Sequence, residues 1–119
     1  MLKVLIADDE EKICQLIIKL INWEEMGLKI AATASNGIEA LEQAKICKPE
    51  ILITDIRMPG IDGMELIRKV KEKLPDTEII IISGYRHFEY AQTAIRYGVR
   101  NYLLKPIKKA MSLTLAKSR

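Results

Sequence analysis

ILITDIRMPG, residues 51–60, decides the fold: four apolar or β-branched residues run straight into an acid, Asp55, and then into a Pro-Gly turn. A run that short and that apolar, stopped by turn residues, reads as a strand buried on both faces, Ile51 to Thr54. The same arrangement recurs along the chain. VLIADDE, residues 4–10, ends in Asp8 and Asp9; IIIISG, residues 79–84, ends at Ser83; NYLLKP, residues 101–106, ends at Lys105. In an open parallel sheet the carboxyl ends of neighbouring strands meet at one crevice. Three carboxylates, a hydroxyl and an ammonium, far apart in sequence, are therefore expected to meet there.

Amphipathic stretches separate these runs. Ile13, Leu16, Ile17, Leu20 and Ile21 recur at helical spacing, with Lys12, Gln15 and Lys19 outside the stripe. Residues 29–34 make a second strand. Asn36 followed three residues later by Glu39 resembles a capping pair for the next helix, which Pro49 closes. Gly60 and Gly63 bracket a loop, and Met64, Ile67, Val70 and Leu74 give a third helix its buried side before Pro75-Asp76 breaks it. Residues 79–82, four isoleucines in a row, are the fourth strand. Residues 88–97 form a fourth helix ended by Gly98, residues 99–104 a fifth strand, and Pro106 opens a fifth helix with a weaker pattern.

Five β-α units imply an α/β doubly wound sandwich with a parallel five-stranded sheet and helices on both faces. The 119 residues fit one domain, residues 1–119, with no repeat or linker. A hydrophobic share of 49% against 29% charged describes a globular chain rather than a disordered one. The net charge of +3 is small, and lysines solvating helix faces account for it, so it does not argue for nucleic-acid binding. Cys14 and Cys47 fall on helices, form no CxxC pair and have one histidine for company, which argues against zinc; both read as free thiols. The opening MLKVLIADDE is too short in its apolar part for a signal peptide, and no run approaches a membrane span, so a reducing cytoplasm is the expected location.

Asp8 and Asp9 cannot both face one way on an extended strand, but at a strand end the chain turns and both reach the crevice. If the first and third strands are neighbours, Asp55 joins them. Three carboxylates repel one another unless a cation sits among them. Oxygen ligands with positions left open for water and phosphate suit Mg²⁺ better than Zn²⁺. Asp55 can then serve as a nucleophile that takes a phosphoryl group as an acyl phosphate. Lys105 and Ser83 are placed to stabilise the charge on the transferring group. Taken singly, each residue has a plainer reading: acids at strand ends cap helices, which is the favoured reading for Glu10, and Ser before Gly is a turn residue. Four such coincidences at four strand ends favour one site.

In combination, Asp8-Asp9, Asp55 within TDIRMPGIDG, Ser83 and Lys105-Pro106 make the chain resemble the receiver domains of two-component response regulators over nearly its whole length. The resemblance implies a flavodoxin-like (βα)5 fold with strand order 2-1-3-4-5. It implies that Asp55 accepts phosphate from the phosphohistidine of a sensor histidine kinase. Asp9 and Asp55 would bind Mg²⁺ through their side chains, Arg57 through its backbone carbonyl, and Asp8 through water. Lys105 would pair with the phosphoryl group, and the Lys105–Pro106 bond is cis in the family, so Pro106 is the expected cis-proline. Ser83 and Tyr102 match the family's switch pair, which biases the face made by the fourth helix, fifth strand and fifth helix toward a phosphorylation-dependent homodimer. Such a domain promotes its own phosphorylation and dephosphorylation without being a conventional enzyme.

INWEEMGLKIAATASNG (residues 21–37) and SGYRHFEYAQTAIRYGVRNYLLKPI (residues 83–107) further resemble receivers of the YesN group, whose regulators carry a C-terminal AraC-type helix-turn-helix domain. The sequence ends before such a domain. The expectation is a receiver excised from a longer transcription regulator, its last helix cut short, with DNA bound by the missing domain and not by this one. Acting on a protein target without DNA binding is the alternative. A phosphatase of the haloacid-dehalogenase type needs an acid two residues after the nucleophile, where this chain has Arg57. A flavin-binding module needs a Ser/Thr/Gly-rich loop after the first strand, where this chain has four consecutive acids, residues 8–11.

Overall fold

The computed structural model describes residues 1–56, 58–83, 96, 99 and 101–104. Within them the chain runs β1 (Leu2–Ala7), α1 (Glu11–Leu20), β2 (Leu28–Ala34), α2 (Gly37–Cys47), β3 (Ile51–Thr54), α3 (Gly63–Lys73), β4 (Glu78–Ser83) and β5 (Asn101–Leu104). All pairings are parallel, in the order β2-β1-β3-β4-β5. The chain steps outward from β1 in one direction to β2 and in the other to β3, which puts the topological switch point between β1 and β3.

Strand alternation explains why the apolar runs are unbroken. Leu5 and Ala7 of β1, Leu52 of β3 and Ile79 and Ile81 of β4 pack into one core with α2 and α3. Val4 and Ile6, Ile51 and Ile53, and Ile80 and Ile82 point the other way, into a core with Cys14 and Ile17 of α1 and with Trp23. Each of β1, β3 and β4 therefore serves two cores, and a polar residue on either face of their central runs would be buried. The ends of the strands are in register: Ala34, Ala7, Thr54, Ile81 and Tyr102 form one rung across the sheet.

Local signals set the helix boundaries. The Asn36 side chain accepts the Glu39 N–H at 2.8 Å and starts α2, and Lys48 takes a left-handed conformation (φ 47°) that ends it before Pro49. Asp62 caps α3 in the same way through the Glu65 N–H at 2.9 Å.

Two expectations change. The buried side of α1 is Cys14, Ile17 and Ile21, whereas Leu16 and Leu20 of the expected stripe are 42% and 39% exposed. At 100° per residue Leu16 lies roughly 130° from the centre of that face, so a stripe drawn through it is too wide for a helix resting on a flat sheet. The fifth strand spans Asn101–Leu104, with Val99 buried before it rather than within it. The expected fourth helix, apart from Arg96, and the expected fifth helix lie outside the described residues.

Neither cysteine is in a disulfide; Cys14 is buried in α1 and Cys47 half-buried at the end of α2. Burial pushes the Cys47 thiol above its ordinary value, which lowers its thiolate fraction at neutral pH. Alkylation at pH 7 is expected to be slow for both thiols in the native protein and fast for both in urea. Rapid native labelling of Cys14, followed by mass spectrometry, would contradict the packing of α1 described above.

Candidate metal centre

The acidic cluster is built by extending the sheet ladder one residue past each strand end. The Asp8 N–H donates to the Ala34 carbonyl at 3.0 Å, and the Asp55 N–H donates to the Ala7 carbonyl at 2.9 Å. Asp8 and Asp55 thus sit side by side at the switch point, and both are buried, 1% and 3% exposed. Beyond Asp8 the chain leaves the strand in a tight Asx turn, in which the Asp8 Oδ1 accepts the Glu10 N–H at 2.9 Å. That turn carries Asp9 and Glu10 to the surface, where both are exposed. It answers how two adjacent acids reach one site: one faces the interior and the next faces solvent.

The Asp55 side is also fixed by its neighbours. Its Oδ1 accepts the Ile56 N–H at 2.7 Å, and its carbonyl accepts the Thr54 hydroxyl at 2.9 Å. The Gly63 N–H, at the start of α3, donates to the Ile56 carbonyl at 2.6 Å and closes the loop that follows. On the other flank the Cys14 thiol donates to the Asp8 carbonyl at 3.7 Å, tying α1 to the cluster.

One carboxylate oxygen from each of Asp8, Asp9, Glu10 and Asp55 lies within 4.8 Å of the others. Glu10 is the member that sequence reasoning assigned to helix capping. It does occupy the residue before α1, but its side chain makes no capping bond. The run of four acids, residues 8–11, was the available signal. Four carboxylates this close repel strongly, and a hard divalent cation with oxygen ligands relieves that repulsion. The donor set fits such an ion: all oxygen, no thiolate or imidazole, two ligands buried and two open to solvent. A cleft of about 320 Å³ opens beside Asp8 between the ends of β1 and β2, edged by Glu11, Thr33, Ser35 and Glu39.

The backbone of Ser83 ends β4 and pairs in register with Leu104, the last residue of β5. Tyr102 pairs with Ile81 in the same ladder. These strand ends lie on the same edge of the sheet as Asp55, since Thr54 pairs with Ile81. The side chains of Ser83 and Tyr102 lie outside the described residues, as do Arg57, Lys105 and Pro106 altogether.

With this geometry in place, comparison with known proteins is specific. Residues 4–116 match the family described as the response regulator receiver domain. The uncharacterized transcriptional regulatory protein YesN of Bacillus subtilis is 47% identical over 106 residues, which are 89% of this chain and 29% of that protein. The chain thus spans less than a third of that relative's length. The receiver domain of AraT, a response regulator from Geobacillus stearothermophilus, superimposes with a TM-score of 0.94 at 43% identity, covering 98% of this chain and 92% of that one. The CheX-CheY complex with BeF3 and Mg²⁺ from Borrelia burgdorferi gives a TM-score of 0.87 at 25% identity, covering 98% of this chain and 87% of that one. The flavodoxin-like sheet, its strand order and the acids at its switch point thus have one common explanation: this chain belongs to the response regulator receiver domains of two-component systems.

Proposed function

We propose that the chain is a phosphorylation switch in which Asp55 accepts a phosphoryl group from a sensor histidine kinase. The observation that carries this reading is the pairing of a buried, backbone-anchored Asp55 with Asp8 beside it and exposed Asp9 above it. Asp55 Oδ1 accepts the Ile56 N–H, which fixes the carboxylate, and one of its oxygens is the nucleophile. In the transfer, that oxygen forms a bond to phosphorus as the phosphorus–nitrogen bond of the kinase phosphohistidine breaks. The imidazole leaves with the electron pair and takes up a proton. Asp8, Asp9 and Asp55, with the backbone carbonyl of Arg57, would hold Mg²⁺. When bound, the ion neutralises the carboxylates and the phosphoryl oxygens, which otherwise repel. The Borrelia relative with BeF3 and Mg²⁺ supports that ion by analogy.

Ser83, the last residue of β4, and Lys105, next in sequence after β5, are assigned to the phosphoryl oxygens, Ser83 and Tyr102 to the switch, and Pro106 to the cis bond after Lys105. The output is a change in the face around β5 that favours a homodimer. That change passes to a C-terminal DNA-binding domain of a longer transcription regulator, as the name of the Bacillus relative suggests. The domain itself binds no DNA and works in the cytoplasm; no helix among the described residues is long and apolar enough to cross a membrane. It is a substrate of its kinase that assists its own phosphorylation and hydrolysis, and not a conventional enzyme.

The test is incubation with acetyl phosphate. One phosphoryl adduct, labile in base and to hydroxylamine as an acyl phosphate is, is expected with Mg²⁺ and none with EDTA. An adduct that forms equally well in EDTA would overturn the metal assignment, and its absence under both conditions would overturn the receiver chemistry.

A further inference from the structure

The β3–α3 loop, residues 56–62, follows the phosphoacceptor and contains position 57, whose carbonyl the proposed site uses. Two elements press on it. Gly63 anchors its far end through the Ile56 carbonyl. The second element is the first turn of α2, which belongs to a different β-α unit. The Gly37 N–H donates to the Pro59 carbonyl at 3.3 Å. Gly37 is buried, and its α-carbon lies so close to the loop that a methyl group there would overlap the Ile61 carbonyl oxygen and come within 2.8 Å of the carbonyl carbon. One residue on, the Ile38 side chain lies over Gly60, its Cδ1 3.0 Å from where a β-carbon on Gly60 would be. Gly60 has φ +84° and no side chain, so the loop turns beneath Ile38.

The position of this turn is itself set by the Asn36 cap, which fixes where α2 begins. Further along α2 the buried residues are Ala40 and Ala44, which pack into the core. Ile38 is 54% exposed, so its contact with Gly60 is not explained by core filling.

We propose that the first turn of α2 is a clamp on the β3–α3 loop, with Gly37 and Ile38 as positioning residues for the metal and phosphoryl site. This rests on the receiver reading above. Gly37→Ala forces the loop away from α2, because the atom it meets is backbone and cannot rotate aside. Ile38→Ala removes the cover over Gly60 with little loss of buried surface. Groups that orient the ligands of a metal without touching it typically carry about 10–100-fold in affinity.

The experiment compares four chains: wild type, Gly37→Ala, Ile38→Ala and Glu42→Gly. Glu42 is exposed in the middle of α2, and glycine there weakens the helix by about 1 kcal/mol without touching the loop. Mg²⁺ affinity by calorimetry, urea stability in EDTA, and amide exchange at Ile56 and Gly63 are measured on each. The expected result is about tenfold weaker Mg²⁺ binding in Gly37→Ala, a smaller loss in Ile38→Ala and wild-type affinity in Glu42→Gly. Faster exchange at Ile56 and Gly63 should accompany only the first two. If Gly37→Ala does not fold, Ile38→Ala alone decides. Wild-type affinity and exchange in Ile38→Ala and in any folded Gly37→Ala overturn the clamp, as does an equal loss in Glu42→Gly. If wild-type protein binds no Mg²⁺, the receiver reading fails, while the exchange data still decide whether α2 holds the loop.

Discussion

Asp55→Asn is expected to give no phosphoryl adduct with acetyl phosphate and Mg²⁺, measured by intact mass, under conditions where the wild type is modified. The amide keeps the shape of the side chain and an oxygen to accept the Ile56 N–H, so the fold has no reason to change. What is lost is the anionic nucleophile. The same substitution should raise stability in EDTA, because it removes one of four carboxylates within 4.8 Å of one another. The gain is on the order of 1 kcal/mol, a fraction of the roughly 4 kcal/mol that two unit charges exchange at 4 Å near a protein surface. Mg²⁺ should then add less to the urea midpoint of the mutant than to that of the wild type, since a weaker site stabilises less by mass action. A mutant that is less stable in EDTA and unfolded by calorimetry would show that Asp55 is held by attraction rather than strained by repulsion.

Gly63→Ala carries the largest expected cost to the fold near the site. Gly63 is buried at the start of α3. A β-carbon there would overlap the Asp55 carbonyl oxygen and lie 2.8 Å from the Ile56 α-carbon. All the atoms it meets are backbone, and Asp55 is fixed in the β1–β3 ladder. Helix α3 must therefore move away from the sheet and part from Leu66, Ile67 and Val70 contacts in the core. Overpacking of this kind costs typically about 1–3 kcal/mol, and here the hydrogen bond from Gly63 to Ile56 is at risk as well. Urea denaturation should show a loss of at least about 2 kcal/mol, within that range, together with slower phosphorylation of Asp55. A stability within a few tenths of a kcal/mol of the wild type would mean that the loop yields where the ladder says it cannot.

The sheet was legible because its strands are buried on both faces. Ile51–Thr54 was read with the bounds observed, since three apolar residues and a β-branched Thr54 stand between two acids, Glu50 and Asp55. The Asn36 and Pro49 signals placed α2 correctly because they act through local hydrogen bonding and φ restriction. The width of the α1 stripe was not legible. Leu16 and Leu20 have the apolar character of core residues, and only the orientation of the helix on the sheet shows that Cys14 takes their place. In the site, Asp8, Asp9 and Asp55 could be read from their position at strand ends, whereas Glu10 could not, because a capping acid and a cluster acid look alike in sequence. The close approaches at Gly37 and Gly63 were beyond sequence reasoning: they depend on which loop lies against which helix, and a glycine in a turn gives no hint of its tertiary neighbour.

The backbone amides of Asp8 and Asp55 are the last rungs of the ladder. Their peptide groups are thus part of the hydrogen-bonded sheet, while the chain on the far side of each is loop. The acids stand on an anvil. In the proposed function, a charge added at Asp55 would sit on this hydrogen-bonded edge, and the loops beyond it, which lack such ladder bonds, would be the parts free to respond.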